Sequence, residues 1–220
     1  MGLLKQEIKI VLPAYKIFYS LFFPVVLCLI RGVARADEIG GALDSNMALL
    51  SLVFCAETWV MERSGRRWEI FTLYPVKNRT KTVLRRLAVQ LCYLCVLSYV
   101  GYFFYYWQKP AVPLGKTAAG LYGSYLPAIM ATVIFFGVLS MTLSNLFQNQ
   151  WAGIGGSFLL WLTLYSTSGD KVLGRFNIFA YAFRELDGPE DFSWLWGKAA
   201  GILIAVFLLG WLPHILKKRG

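Results

Sequence analysis

Apolar residues dominate six long stretches of this 220-residue chain, and polar residues are concentrated between them. A bilayer core about 30 Å thick needs about 20 mostly apolar helical residues to cross it, because each backbone N–H and C=O must be satisfied within the segment. The pattern therefore predicts an all-α, polytopic membrane protein that forms one domain, residues 1–220. The six predicted transmembrane helices cover about residues 8–30, 42–61, 87–107, 121–147, 151–166 and 194–213.

The composition agrees with a bilayer environment. Hydrophobic residues make up 57% of the chain and charged residues 15%, whereas a soluble domain has about 25% charged residues. The third predicted span ends in YFFYYW, an aromatic run typical of a membrane–water interface. Within the first span, we expect Lys9 and Lys16 to snorkel so that their ammonium groups reach water.

Lys and Arg residues are distributed unevenly between the two sides of the predicted bundle. Six spans place both termini on one side, together with the loop between the second and third spans. That side holds 14 of the 22 Lys and Arg residues but only four of the 12 acids, so the formal net charge of +10 lies there. The positive-inside rule assigns this side to the cytoplasm. Topology thus explains the basic character of the chain, and nucleic-acid binding is not predicted.

The amino end also resembles a cleavable signal peptide, because basic residues, an apolar run and the tripeptide ARA at 34–36 follow one another. Arg31 and Arg35 crowd the cleavage region, however, and loss of this span would leave an odd number of spans. We therefore expect the amino end to be retained as a helix that enters from the cytoplasm.

Sequence signatures of catalysis are weak. The segment PAVPLGKT, residues 110–117, carries the end of a phosphate-binding loop, but Pro110 stands where the first glycine should be. The single histidine, His214, has no second histidine and no cysteine near it in sequence. The chain is therefore not predicted to be an enzyme on its own, and no metal site or bound cofactor is predicted.

Two charged residues inside the spans are functional candidates, because charge is costly at the centre of a bilayer. Asp44 lies near the outer end of the second predicted span, and Glu57 lies about one helical turn from its inner end. Glu57 either pairs with an arginine of the following loop or contacts a substrate.

The loop between the second and third spans contains a candidate short helix. Ser64 is a candidate N-cap and Pro75 ends the helical pattern. Three apolar residues would lie on one side of this helix: Trp68, Phe71 and Leu73. The charged residues Arg66, Arg67 and Glu69 would lie on its other sides. Such a helix needs a surface to dock on, either the membrane interface or a cytoplasmic partner, and a plain basic loop is the alternative.

This loop resembles the coupling helix in the membrane subunits of ABC exporters of the second type (ABC type 2), which are six-span permeases. In that family an acidic and basic pair, a glycine, a second acid, a leucine-rich turn and a proline follow the second span. The matching residues here are Glu62, Arg63, Gly65, Glu69, Leu73 and Pro75. Gly65 and Glu69 are one residue further apart than in the usual family spacing.

Two further segments extend the resemblance, so that it covers most of the chain. Residues 143–156, LSNLFQNQWAGIGG, are similar to the tight cytoplasmic turn between the fourth and fifth spans of that family. Residues 173–188, LGRFNIFAYAFRELDG, are similar to the partly helical external segment that precedes its last span.

The resemblance implies a permease subunit that works with a separate ABC ATPase, present in two copies, which binds ATP and Mg²⁺ and docks under the coupling helix. It also implies pairing with a second permease copy or a paralogue, contact with membrane lipid, and location in a bacterial plasma membrane with both termini cytoplasmic. The residues it implies in ATPase coupling are Glu62, Arg63, Gly65, Arg66, Arg67, Trp68, Glu69, Phe71, Leu73 and Pro75.

The expected cargo is an amphipathic or hydrophobic molecule, because the spans are rich in aromatic residues and leucine and poor in charge. Family members similar to this chain export antimicrobial or cytolytic peptides, lipids, drugs or polysaccharides, and a small antimicrobial or cytolytic peptide is the first choice among them. A structural or regulatory membrane protein is the alternative of a different class, since it needs only the helical bundle. A membrane-embedded enzyme would need clustered catalytic groups that the sequence does not show.

Small residues spaced four apart permit close contact between helices. We expect these residues to pack mostly within the chain, and they are Ser140 and Ser144, Gly153 and Ser157, and Gly201 and Ala205.

Overall fold

The structure is a computed structural model that describes residues 2–60, 79–186 and 191–219. The described residues form helices joined by short loops, without a β-sheet. The predicted all-α class is confirmed. In the described part of the chain the helices are α1 Gly2–Val11, α2 Ala14–Ile30, α3 Glu38–Ala56, α4 Arg79–Trp107, α5 Ala118–Phe147, α6 Gln150–Leu164, α7 Thr167–Leu173, α8 Ala180–Phe183 and α9 Trp194–Arg219, with a 3-10 turn at Gly174–Phe176.

Within the described residues, four helices are long and apolar enough to cross a membrane. They are α3, residues Thr80–Trp107 of α4, α5, and residues Trp194–Lys217 of α9. They correspond to the second, third, fourth and sixth predicted spans and indicate a membrane-embedded protein. The helices at the first and fifth predicted spans, α2 and α6, are shorter, with 17 and 15 residues.

The prediction of one continuous helix over residues 8–30 is wrong. α1 ends at Val11 and α2 begins at Ala14. Pro13 causes this break, because proline has no N–H to donate and disfavours helical backbone at the residue before it. α1 is amphipathic and packs against α4. Lys9 is exposed on α1, outside the apolar helix in which it was expected.

α3 and α5 form the centre of the bundle, and two serines join them in both directions. The hydroxyl of Ser51 on α3 donates to the Val133 carbonyl on α5 at 2.7 Å. The hydroxyl of Ser140 on α5 donates to the Leu52 carbonyl on α3 at 2.6 Å. Between these contacts, a Cβ on Gly137 would lie 2.9 Å from the Ser51 Oγ, so this position has no room for a side chain.

A tight turn joins α5 to α6, as the sequence of residues 143–156 predicted. Gln148 takes a left-handed conformation with φ of 54°, and its N–H donates to the Ser144 carbonyl. The side chain of Asn149 then accepts a hydrogen bond from the Trp151 N–H at 2.9 Å and caps the start of α6. The chain therefore reverses within two residues.

Small residues let α5 and α6 pack closely after this turn. A Cβ on Gly153 would overlap the Ser144 side chain and would lie 2.7 Å from the Ser140 carbonyl oxygen. Elsewhere, a Cβ on Gly201 would lie 2.6 Å from Ile178 Cδ1. The expectation that these small residues pack within the chain is confirmed at both glycines.

The segment between α6 and α9 folds back against the bundle, and its elements confirm the prediction of a partly helical segment there. The Asn177 amide nitrogen donates to the Leu164 carbonyl at 2.8 Å, and its oxygen accepts from the Phe179 N–H at 3.0 Å. Ile178, Phe179 and Tyr181 are buried against the helices. A buried asparagine thus fixes the path of the chain, because both of its polar atoms are paired with backbone.

The residues assigned to the coupling helix, from Glu62 to Pro75, lie outside the described residues. That prediction stays a prediction.

The α5–α6 contact can be tested with a matched pair of glycine substitutions. Gly153→Ala should lower the thermal unfolding midpoint of the purified protein in detergent, because overpacking of a close contact costs about 1–3 kcal/mol. Gly155→Ala is the control, since a Cβ on Gly155 meets nothing within 4 Å. Equal midpoints for the two variants would contradict the close packing.

Candidate functional site

A fully buried ionic contact connects three of the long helices. Lys198 on α9 donates to Asp44 on α3, with 2.6 Å between Nζ and Oδ2. The hydroxyl of Thr132 on α5 donates to the other carboxylate oxygen of Asp44, also at 2.6 Å, and lies within hydrogen-bond distance of Lys198 Nζ. The relative exposures of Asp44, Lys198 and Thr132 are 0%, 3% and 0%. We call these three residues the polar centre.

Helix geometry places the two charged residues of the polar centre, Asp44 and Lys198, at one depth. Asp44 is the seventh residue of α3 and Lys198 is the fifth residue of α9, so each lies in the second turn from the same end of the bundle. A single charge in this position would be costly, because it would be removed from water without a counter-ion. The two charges are therefore compatible with an apolar bundle only together.

Aromatic and cationic side chains enclose the polar centre toward the end of the bundle where α3 and α9 begin. The ring of Tyr181 lies 5.9 Å from the Lys198 Nζ and packs edge-on against Trp194, with 4.9 Å between ring centroids. The Arg184 guanidinium stacks on the same tyrosine ring at 3.7 Å. Gly40 makes room for this ring, since a Cβ there would lie 2.6 Å from the tyrosine hydroxyl. Tyr181 thus covers the buried lysine.

A second ionic group ties together the loops at the same end of the bundle. Arg35 pairs with the buried carboxylate of Asp37 at 2.9 Å, and Lys116 lies 3.4 Å from the same carboxylate. Ala36 and Ala111 exchange backbone hydrogen bonds with the opposite loop, at 3.0 and 2.9 Å, in an isolated bridge. The loops before α3 and α5 are therefore held against each other.

Lys16 and Glu57 form a separate ion pair near the other end of α3. The Lys16 Nζ lies 3.1 Å from the Glu57 carboxylate and donates to the Phe54 carbonyl at 3.2 Å. The lysine is only 3% exposed. The expectation that Lys16 snorkels to water is therefore wrong: it turns inward because a carboxylate and a carbonyl near the end of α3 lie within its reach.

A further pair joins the amphipathic helix α1 to α4. The Arg86 Nε donates to the Glu7 carboxylate at 2.7 Å. Glu57 follows the end of α3 and Arg86 lies in the third turn of α4. These two ion pairs therefore attach α1 and α2 to the helices on either side of residues 61–78.

The two intramembrane candidates from the sequence lie in different places. Asp44 belongs to the polar centre, whereas Glu57 lies 13 residues further along, about 20 Å away at 1.5 Å per residue. Glu57 pairs with Lys16, which sequence reasoning did not identify as its partner. The residues missed at the polar centre are Lys198 and Thr132. A charge of opposite sign at the same depth in another apolar stretch was the signal that could have found Lys198.

No protein-family model, curated protein or solved structure matches this chain.

The coupling between Asp44 and Lys198 can be measured with a double-mutant cycle. Asp44→Asn and Lys198→Met should each lower the thermal unfolding midpoint strongly, because removing one member of a buried ion pair costs about 3–5 kcal/mol. The combination of both substitutions should recover much of the loss, since no unpaired charge is left.

The control for this cycle is Lys171→Met, which removes an exposed lysine of α7. Its midpoint should match that of the unaltered protein. A combined variant as unstable as the sum of the two single variants would show that the two residues are not coupled.

Proposed function

We propose that this chain is the permease subunit of an ATP-driven exporter, of the ABC type 2 kind that its sequence resembles, in a bacterial plasma membrane. The observation that carries the proposal is the pairing of the two helices that flank residues 61–78 with the amino-terminal helices. Its two flanking helices, α3 and α4, are joined to the amino-terminal helices by the pairs Lys16–Glu57 and Glu7–Arg86. A force applied to this segment would therefore reach four helices at once.

The proposal includes six spans, with α2 and α6 as the two beyond the four long helices. At 1.5 Å per residue α2 and α6 are about 26 and 23 Å long, shorter than a 30 Å core, and local thinning of the bilayer can accommodate such a mismatch. Both present large apolar side chains outward, such as Phe18 and Leu29 on α2 and Leu159 on α6. Six spans with the positive-inside rule place both termini and residues 61–78 in the cytoplasm.

A separate ATPase is part of this proposal. Two ATPase chains that close on ATP would push on the segments at 61–78 of two permease copies. This motion can drive transport when the nucleotide favours one of two arrangements of the spans. The ion pairs of Lys16 and Arg86 would carry the displacement into α1 and α2.

A second permease copy, or a paralogue, is needed for a substrate path. The interior of the bundle is filled by large side chains, among them Met47, Phe54, Ile129 and Phe136, each fully buried. A path through the centre of a single copy would have to displace them. We therefore place the path between two copies, and propose a small amphipathic peptide as cargo, with lipid, drug or polysaccharide as alternatives.

Purification of the full-length chain from the membranes of its own host tests the function. An ATP-hydrolysing subunit should co-purify, and its activity should rise on addition of an amphipathic helical peptide. Arg66→Glu with Arg67→Glu, and separately Trp68→Ala, should weaken its docking by on the order of a hundredfold, because charge-assisted contacts and buried aromatic anchors dominate such interfaces.

The matched control reverses two exposed cations of the opposite end, Lys171→Glu with Arg175→Glu. This variant should keep the ATPase. A chain that purifies without ATPase activity, or equal retention of the ATPase in all variants, would favour a structural or regulatory membrane protein instead.

The proposed topology can be tested with cysteine labelling in intact cells, in a background whose native cysteines are replaced by serine. Leu114 is fully exposed at the tip of the loop before α5. A reagent that does not cross membranes should label Leu114→Cys and should not label Asn78→Cys until the cells are opened. The reverse pattern would invert the topology.

A further inference from the structure

A cavity of about 530 Å³ lies at the end of the bundle where α5 and α9 begin. One wall is a face of α5 that carries little side chain, since Gly120, Gly123 and Ser124 lie there at helical spacing. A Cβ on Gly123 would meet nothing within 4 Å. Trp194 and Leu195 of α9 contribute to the opposite wall. The cavity is therefore open because α5 lacks large side chains at these positions.

Among the residues that the structure describes, two cations and two anions line the cavity. The cations are Lys116 and Arg184, and the anions are Glu185 and Asp191. Both cations contact Asp37, at 3.4 Å from Lys116 Nζ to its carboxylate and 3.2 Å from Arg184 Nη2 to its carbonyl. The two cationic groups are therefore close to each other on one part of the wall.

The cations keep hydrogen-bond capacity for a ligand. Lys116 has three N–H groups and donates to the Asp37 carboxylate and to the Leu186 carbonyl, at 3.4 and 2.7 Å. Arg184 has five N–H groups and donates to the Tyr181 and Asp37 carbonyls. Donors thus remain on both side chains, which suits an anionic group such as a phosphate.

Hydrogen bonds from Ser193 hold the carboxylate of Asp191 at the cavity. Ser193 donates to Asp191 through its backbone N–H at 2.8 Å and its hydroxyl at 2.6 Å. These hydrogen bonds lower the pKa of the Asp191 carboxyl from its ordinary value. A ligand that carries one negative and one positive group therefore matches the wall better than an anion alone.

An apolar groove continues from this cavity along α9. It shares Phe192 and Leu195 with the cavity and extends past Trp196 to Ala199, deeper in the helix. Phe192 and Trp196 are more than half exposed. Since α5 and α9 both qualify as membrane spans, their first turns lie where lipid headgroups meet the acyl chains. An amphiphile can place its headgroup in the cavity and its acyl chain in the groove.

We propose that this cavity binds a zwitterionic phospholipid, with its phosphate at Lys116 and Arg184, its ammonium group at Glu185 and Asp191, and an acyl chain along Trp196 and Ala199. The site lies directly above Tyr181, which covers the polar centre. Bound lipid therefore rests on the ring that closes the contact between α3, α5 and α9. Lipid can bind at this cavity whether or not the chain is part of a transporter.

Native mass spectrometry of the delipidated full-length chain tests the site, with phosphatidylethanolamine and phosphatidylglycerol of identical acyl chains as probes. The unaltered chain should retain phosphatidylethanolamine in preference. Gly123→Leu, which fills the cavity, should lose this bound lipid. Gly155→Leu is the control and should bind as the unaltered chain does, since Gly155 lies on the outward face of α6 with open space around it.

A charge variant tests the headgroup assignment independently of packing. Glu185→Gln with Asp191→Asn removes the partners of the ammonium group, so affinity for phosphatidylethanolamine should fall by about tenfold or more while phosphatidylglycerol becomes preferred. Equal retention of the two lipids by the unaltered chain would overturn the proposal, as would equal losses in Gly123→Leu and Gly155→Leu. Binding of glycerophosphoethanolamine as tightly as the lipid would assign the cavity to a soluble zwitterion instead.

Discussion

The contact among Asp44, Lys198 and Thr132 is the constraint on which the bundle depends. It joins α3, α5 and α9 through one carboxylate, and these helices are the second, fourth and last of the predicted spans. Apolar packing alone does not distinguish one rotation of an apolar helix from another, because the surface of such a helix is hydrophobic on all sides. A buried charge does distinguish them, because each misplaced arrangement leaves an ion without a partner. The polar centre therefore selects the rotation of α9 against α3 and α5.

The ionic contacts at the two ends of the bundle have different geometric consequences. Near the polar centre, the loops before α3 and α5 are held together by the Lys116–Asp37 pair and by backbone hydrogen bonds of Ala36 and Ala111. At the other end, Lys16 and Arg86 tie the amino-terminal helices to the ends of α3 and α4. The second set of contacts therefore lies on the helices that flank residues 61–78, whereas Asp44 lies about 20 Å from Glu57 along α3.

Much of the fold could be predicted from the sequence, because apolar stretches, proline and glycine act locally. The positions of α3, α4, α5 and α9 follow from such signals, whereas the turn at Gln148 and the helical segment before α9 were expected from the family resemblance. The break at Pro13 was missed because the apolar character of the chain continues across it. Hydropathy indicates whether a segment lies in water or in an apolar environment. The break between α1 and α2 depends instead on Pro13, which has no backbone N–H to donate.

The candidate site was only half predictable. Asp44 and Glu57 stand out in sequence as charges among apolar residues, but the sequence does not say which cation meets which anion. Lys16 and Lys198 each lie near a helix end, where a long side chain can reach water or turn inward. The choice depends on what the neighbouring helices place within reach, so it is a property of the packed bundle.

The central claim is that Asp44 and Lys198 are partners, and a charge exchange in cell membranes tests it most directly. Asp44→Lys alone should prevent accumulation of folded, monodisperse protein, because two like charges would then be buried together. Adding Lys198→Asp should restore accumulation, whereas adding Lys171→Asp, which restores the net charge on the exposed helix α7, should not. If both second substitutions restore the protein equally, or neither does, the contact does not organise the bundle.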